Sequence, residues 1–509
     1  METIQQNNRR IAKNTSFLYI RMLFVLVINL YISRALLDNL GVSDYGTYVV
    51  VAGFVTMFGF FNATLSSTMQ RYYNYIGTKG KQEGLKNVFS TGIYIHLTIA
   101  FIIVLALETF GVWYCYNVLV IPANRLNAAL LVFHASVISL FFLILQSPFT
   151  GIILSQERMN WYAIVSIIDI VLKLAATISL SYLPTDSLST YAIFLTLISI
   201  VDLLLYASYA KLHWHFLSLS HKIDKKLIKS LLSFTGWNLI GTFAFMLRGQ
   251  GISLLLNNFF GTIVNAARGI AMQVSSAIQN FSSNISIAFA PQIVNAVASE
   301  NKERAERLMF IESKICYALL LIIAIPLCLE IDFVLSLWLG KNIPIQTNIF
   351  SILMLIDAVI CTLNTPCTQI AQSTGRIKNY QIGSSIVNLC LIPVCYIFLW
   401  IGFSAISSFV VTILFSIINQ IVCCYFSHHV FPFSIKSYFT MVLCPCALLT
   451  LVLPIGPYLT KIAMTPSVLR VILEIAVDIV LTIPCAYWLL LNSSERYFVM
   501  NTLKNKLYK

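Results

Sequence analysis

NNFFGTIVNAARGIAMQVSSAIQNFSSNISIAFAPQIVNA, residues 257–296, is a membrane-length segment studded with Gly, Ala, Ser and Asn and carrying one cation, Arg268. It opens the second half of the chain. A counterpart lies about 220 residues earlier, around Gly41, where the same plan begins for the first time. A shift of 220 places Ile32 and Ser33 on Ile252 and Ser253, and Gly41 on Gly261. A shift of 221 places Asn74, Lys81 and Phe89 on Asn295, Lys302 and Phe310. The densest match uses a shift of 218, which sets Pro148, Thr150, Ile152, Arg158 and Tyr162 on Pro366, Thr368, Ile370, Arg376 and Tyr380. Proline, arginine and tyrosine are not what shared hydrophobicity supplies, so the pattern implies two halves built alike.

The composition sets the class. Of 509 residues, 58% are hydrophobic and only 10% charged, with a mean hydropathy of +0.82. Apolar runs of about 20 residues, each long enough to cross a bilayer as a helix, recur from end to end. The expected fold is therefore an all-α polytopic membrane protein with about 14 transmembrane helices, two six-helix bundles followed by two extra C-terminal helices. Spans are expected at about 15–37, 44–66, 88–110, 126–147, 160–183, 189–210, 231–256, 262–294, 313–336, 346–368, 379–401, 403–426, 437–459 and 468–491. The eighth is too long for one crossing and should continue as a helix beyond the bilayer. The expected domains are residues 1–210 and 231–426 for the bundles, 211–230 for a basic cytoplasmic linker, and 427–509 for the extra helices and tail. The N-terminal stretch lacks the features of a cleaved signal peptide, so the first span should stay as an anchor.

The net charge of +13 raises nucleic acid as a partner, and its distribution argues against one. With the N-terminus inside, about 24 of the 33 Lys and Arg fall in inner connections, and about four, Arg125, Lys341, Lys461 and Arg470, in outer loops. That asymmetry places both termini in the cytoplasm and makes anionic lipid the partner of the basic loops. Eleven of the twelve cysteines lie from Cys316 onward, almost wholly within spans. None has a partner pair at metal-ligand spacing, so neither disulfide nor metal is expected. His213, His215 and His221 read as solvated loop residues, and His96 and His134 as hydrogen-bonded contacts between helices.

No nucleophile and base arrangement or metal cluster appears in the polar segments, and GxxxxGK[ST] is absent, so neither an enzyme nor an ATP-driven pump is expected. No catalytic residue and no cofactor is assigned. The informative residues are charges inside spans, which generally face a protein interior or a wet cavity. Five are cations: Arg21, Arg34, Lys173, Arg248 and Arg268. A cavity lined by guanidinium groups favours an anion, and the planar fork of Arg suits phosphate. The carboxylates Asp169, Asp202, Asp357, Glu474 and Asp478 are candidates for ion coupling. Three pairs stand four residues apart, Arg34 with Asp38, Asp169 with Lys173, and Glu474 with Asp478; the first two also read as plain internal ion pairs.

The segment from Gly261 to Ala296, the turn-helix QERMNWYAIVSIIDIVLKL and its partner STGRIKNYQIGSSIVNL resemble the polysaccharide-transport branch of the multidrug/oligosaccharidyl-lipid/polysaccharide exporter superfamily, the lipid-linked O-antigen flippases. The resemblance implies two six-helix bundles in a V shape that alternate between inward and outward openings. It implies a bacterial inner-membrane transporter moving undecaprenyl-pyrophosphate-linked oligosaccharide for O-antigen, capsule or exopolysaccharide, with the polysaccharide polymerase machinery as a neighbour. Fourteen spans exceed the usual twelve and match the number in lipid II flippases; the extra pair is a candidate groove for the lipid tail. A cation-coupled multidrug exporter of the same superfamily is the alternative.

Overall fold

The computed structural model describes residues 4–77, 82–156, 158–214, 217–219, 225–374, 377–491 and 496. The side chain of Arg21 falls outside the described residues, as do His215, His221, Lys81, Arg376 and the side chains of Asn74 and Asn295. The described residues are mostly helical and the chain forms two compact units, Met1–Gly269 and Ile270–Lys509. Ten helical stretches among the described residues are long and apolar enough to cross a membrane, and the first of these, Phe24–Gln70, takes in the later part of the expected span at 15–37 and all of that at 44–66. This is a polytopic, multi-pass membrane protein.

The first unit contains α1 (Ile4–Thr56), α2 (Phe60–Gly77), α3 (Gln82–Ala106), α4 (Val112–Asn117), α5 (Leu126–Ser155), α6 (Met159–Ser179), α7 (Ser187–His213), α8 (Lys225–Phe260) and the opening of α9 (Thr262–Ala298). α1 changes direction at Gly41, whose φ of 75° and ψ of 168° are non-helical. Gly261, between α8 and α9, has φ of 78°, and its N–H donates to the Asn257 carbonyl at 2.8 Å. That is a left-handed cap, which an L side chain adopts only at a cost. We expect Gly261→Ala to lower stability by about 1–2 kcal/mol, read as a thermal midpoint in detergent; an unchanged midpoint would show that the joint tolerates a Cβ.

Lipid removes the hydrophobic drive for helices to associate, so close packing must replace it, and small residues allow it. A Cβ on Gly46 would sit 1.9 Å from the Thr262 carbonyl oxygen, and one on Gly269 would sit 2.9 Å from Val49 Cγ2. The small residues of the opening stretch thus bring α9 against α1. Asn257, wholly buried, accepts from the Val120 N–H at 2.9 Å and donates to the Val120 carbonyl at 3.1 Å. α5 is the hub of this unit and packs on α7, α2, α3 and α1. Gly151 on α5 and Gly92 on α3 both make room for Met69. His134 reaches Glu108 at 2.8 Å, a contact between elements. His96 instead donates within its own helix, to the Gly92 carbonyl at 2.6 Å, because that carbonyl is one turn back on the same face.

The second unit continues with α10 (Lys302–Leu329), α11 (Ile331–Leu339), α12 (Thr347–Cys361), α13 (Asn364–Ser373), α14 (Lys378–Trp400), α15 (Ile406–Val430), α16 (Ile435–Tyr438), α17 (Cys444–Val452), α18 (Ile455–Ala463) and α19 (Val468–Cys485). Gly402, with φ of 100°, separates α14 from α15. α10 packs on α12, α13, α17, α18 and α19 and supplies Phe310, Tyr317 and Leu321 to the core. Positions matched by the sequence shifts have matched environments. Ile32 and Ile252 are buried, as are Ser33 and Ser253, and Phe89 and Phe310. Thr150 and Thr368 each donate to the carbonyl four residues back, at 3.2 and 2.9 Å.

Candidate functional site

Inside the first unit, α6 and α7 place three ionisable side chains together. Asp169 and Lys173 stand one turn apart on α6, and Lys173 Nζ lies 2.8 Å from the Asp169 carboxylate. Asp202, on α7, lies close enough to Asp169 for their charges to repel, and also feels the Lys173 charge. They line a cavity of about 490 Å³ together with Asn62, Gln70, Gln146 and Tyr206. Ser147 donates to the Asn62 amide oxygen at the same place. Two carboxyls and one ammonium leave the cavity one positive charge short. Two neighbouring carboxyls with a single ammonium are relieved by one added positive charge, so the arrangement can hold a proton or a small cation.

The second unit contains a cavity of about 520 Å³ whose lining corresponds to the first at spacings of 218 to 220 residues: Asn280 for Asn62, Ser286 for Ser66, and Thr368 for Thr150. The charges do not carry over. At a spacing of 218, Gln420 stands for Asp202, Val387 for Asp169 and Leu391 for Lys173. Asp357, on α12, instead accepts a hydrogen bond from Ser416 of α15. Glu312, wholly buried on α10, faces Ser286 and Gln369. Sequence reading passed over Glu312 because it stands one residue before an expected span.

The remaining cations are engaged locally. Arg34 pairs with Asp38 at 4.0 Å, with both side chains about half exposed. Arg248 and Arg268 are buried. Arg268 donates from Nε to Ser253 Oγ at 2.8 Å and from Nη2 to the Gly249 carbonyl at 2.6 Å, tying α9 to α8. An arginine spent on a hydroxyl and a carbonyl still keeps its full charge.

Glu474 and Asp478, on α19, are wholly buried beside Arg470 and Glu330. Arg470 Nη2 donates to Glu330 Oε2. Arg470, expected in an outer loop, belongs instead to the first turn of α19, where Ser467 caps its N–H at 3.2 Å. Lower on α19, an apolar groove of about 660 Å³ runs between α10 and the helix end, lined by Ile315, Leu319, Ile322, Ile483 and Trp488, with Lys314 along it. Arg496 stacks on Trp488 at 5.1 Å and donates to the Trp488 carbonyl at 2.6 Å.

The fold is similar to several solved transporters. A lipid II flippase MurJ in an inward closed conformation aligns with a TM-score of 0.70 at 14% identity, covering 92% of this chain and 97% of the flippase. A MOP-superfamily transporter from Pyrococcus furiosus aligns at 0.60 and 12% identity, covering 82% of this chain and 95% of its own. An inward-facing multidrug resistance MATE transporter aligns at 0.58 and 14% identity, with coverages of 81% and 94%. No curated protein matches the sequence significantly. The family model described as polysaccharide biosynthesis protein, however, matches residues 10–297, more than half of the chain. With that match and a fold common to these transporters, the chain belongs to the polysaccharide biosynthesis protein family.

Proposed function

We propose that this protein is a flippase that moves an undecaprenyl-pyrophosphate-linked oligosaccharide across the cytoplasmic membrane of a bacterium by alternating access. The product would serve surface polysaccharide such as O-antigen, capsule or exopolysaccharide. The observation that favours a lipid-linked cargo over a drug is the apolar groove on α10 and α19, bordered by Lys314 and Arg496. An isoprenoid tail fits an apolar channel, and a pyrophosphate fits cations at its margin. In this reading the chain is a duplicated pair of six-helix bundles, 1–210 and 231–426, with 427–509 added to hold the tail. Arg21, Arg248 and Arg268 would serve the anionic head group, with Arg34 toward the outer end of the first span. Asp169, Asp202 and Asp357 would bind the coupling ion, and both termini would lie in the cytoplasm. The polysaccharide polymerase would take the delivered repeat unit.

The multidrug reading draws on the likeness to MATE transporters. The two separate in cells lacking a lipid-linked sugar flippase. Expression of this chain is expected to restore surface polysaccharide without changing drug resistance. Raised resistance and dye extrusion, with no polysaccharide restored, would replace the flippase reading by the exporter one.

A further inference from the structure

One face of α19 is a ladder of buried polar side chains. Arg470, Glu474, Asp478 and Thr482 stand four residues apart in turn and are 5%, 0%, 0% and 5% exposed. Val468, Ile472, Val480 and Ile483, on other faces of the helix, are half or more exposed. The helix therefore turns its charges inward and its apolar side outward, as a lipid-facing helix must.

The charges on this face do not balance. Glu330, Glu474 and Asp478 supply three carboxyls, against Arg470 and Lys461. Arg470 is committed to Glu330 and to the Met464 carbonyl at 2.7 Å, and its Nε is 3.9 Å from Glu474. Lys461 donates to the Leu329 carbonyl. The Glu330 and Glu474 carboxyls are near enough for their charges to repel, and neither oxygen of Glu474 has a hydrogen-bond partner. One turn deeper, neither oxygen of Asp478 has a hydrogen-bond partner, and Thr482 Oγ1 has none. The elements packed on α19 are α10, α18 and the turn Ala486–Leu490. Their titratable groups toward this face are Glu330 and Lys461, whereas Lys314 of α10 and Tyr487 line the apolar groove toward the other end of α19. An isolated carboxylate in such surroundings costs several kcal/mol unless something positive joins it.

We propose that Glu474 and Asp478, with Glu330 at the helix ends above them, form a monovalent-cation site for a proton or Na⁺, lying wholly within the second unit and separate from the Asp169–Asp202 cavity. The site deepens the coupling part of the transport reading, yet its test reads binding and does not depend on transport. Full-length protein in nanodiscs of neutral lipid, carrying Asp169→Asn and Asp202→Asn to silence the other cavity, is melted across a pH series. The series is run in Na⁺ and in choline at constant ionic strength. The thermal midpoint is expected to depend on Na⁺ or on pH, and Glu474→Gln with Asp478→Asn is expected to remove that dependence. Loss of a Na⁺ response assigns Na⁺; loss of a pH response without any Na⁺ effect assigns the proton. Asp478→Asn alone, which spares the ion pair, gives the same reading if the double substitution does not fold. Responses equal with and without these substitutions, or no response at all in their parent, overturn the site.

Discussion

Lys173→Met is expected to cut transport at least tenfold at unchanged membrane abundance. Lys173 holds the only cation among the described lining of the Asp169–Asp202 cavity. Without it two adjacent carboxyls face one another, and at a separation of about 4 Å their repulsion is roughly 4 kcal/mol in a protein-like medium. The pair would escape by keeping protons that the cycle needs to release. The test is a pair of variants measured for thermal midpoint and for polysaccharide restored. Lys173→Met alone is expected to lose both; Lys173→Met with Asp169→Asn is expected to regain the midpoint, because the charge count is reset, but not transport. Wild-type transport by Lys173→Met would remove this cavity from the mechanism.

Arg470→Ala is expected to be the most destabilising single substitution in the second unit, by about 3–5 kcal/mol, the usual cost of leaving a buried ion without its partner. Its guanidinium serves Glu330 and the Met464 carbonyl and lies beside Glu474, so removing it orphans groups on α10, α18 and α19 together. Adding Glu330→Gln removes one stranded charge and is expected to recover part of the loss. Unfolding in detergent measures both variants. Equal midpoints for Arg470→Ala and wild type would mean that water reaches this cluster.

Helix positions were legible because a bilayer imposes length and apolarity on each crossing. The expected span at 189–210 is α7, Ser187–His213, and the one at 403–426 is α15, Ile406–Val430. Gly402 divided α14 from α15, as its sequence position suggested. The Asp169–Lys173 pair was legible because it is local, one helical turn. The Glu330–Arg470 pair was not, since 140 residues separate its members and the charged neighbour at helical spacing from Arg470 is Glu474, not Glu330. The lining of the two cavities was missed for a different reason. Asn62 and Gln146 are polar residues in largely apolar runs and Asn280 is one of several polar residues in its stretch, and composition alone cannot distinguish one that faces a cavity from one that bonds its own helix. The joint at Gly41 falls between the expected spans at 15–37 and 44–66, where the backbone leaves the helical conformation.

The first compact unit ends at Gly269, beyond α8 and into the first turns of α9. Gly46 already meets Thr262, Val49 meets Gly269, and Val120 holds Asn257. These contacts lie wholly within the first 269 of the 509 residues. Biosynthesis therefore gives the first unit a head start: it can settle in the bilayer while the ribosome is still translating the second. A ribosome stalled some tens of residues beyond Gly269, once that glycine has left the exit tunnel, would leave behind an assembled half rather than a bundle with one face open.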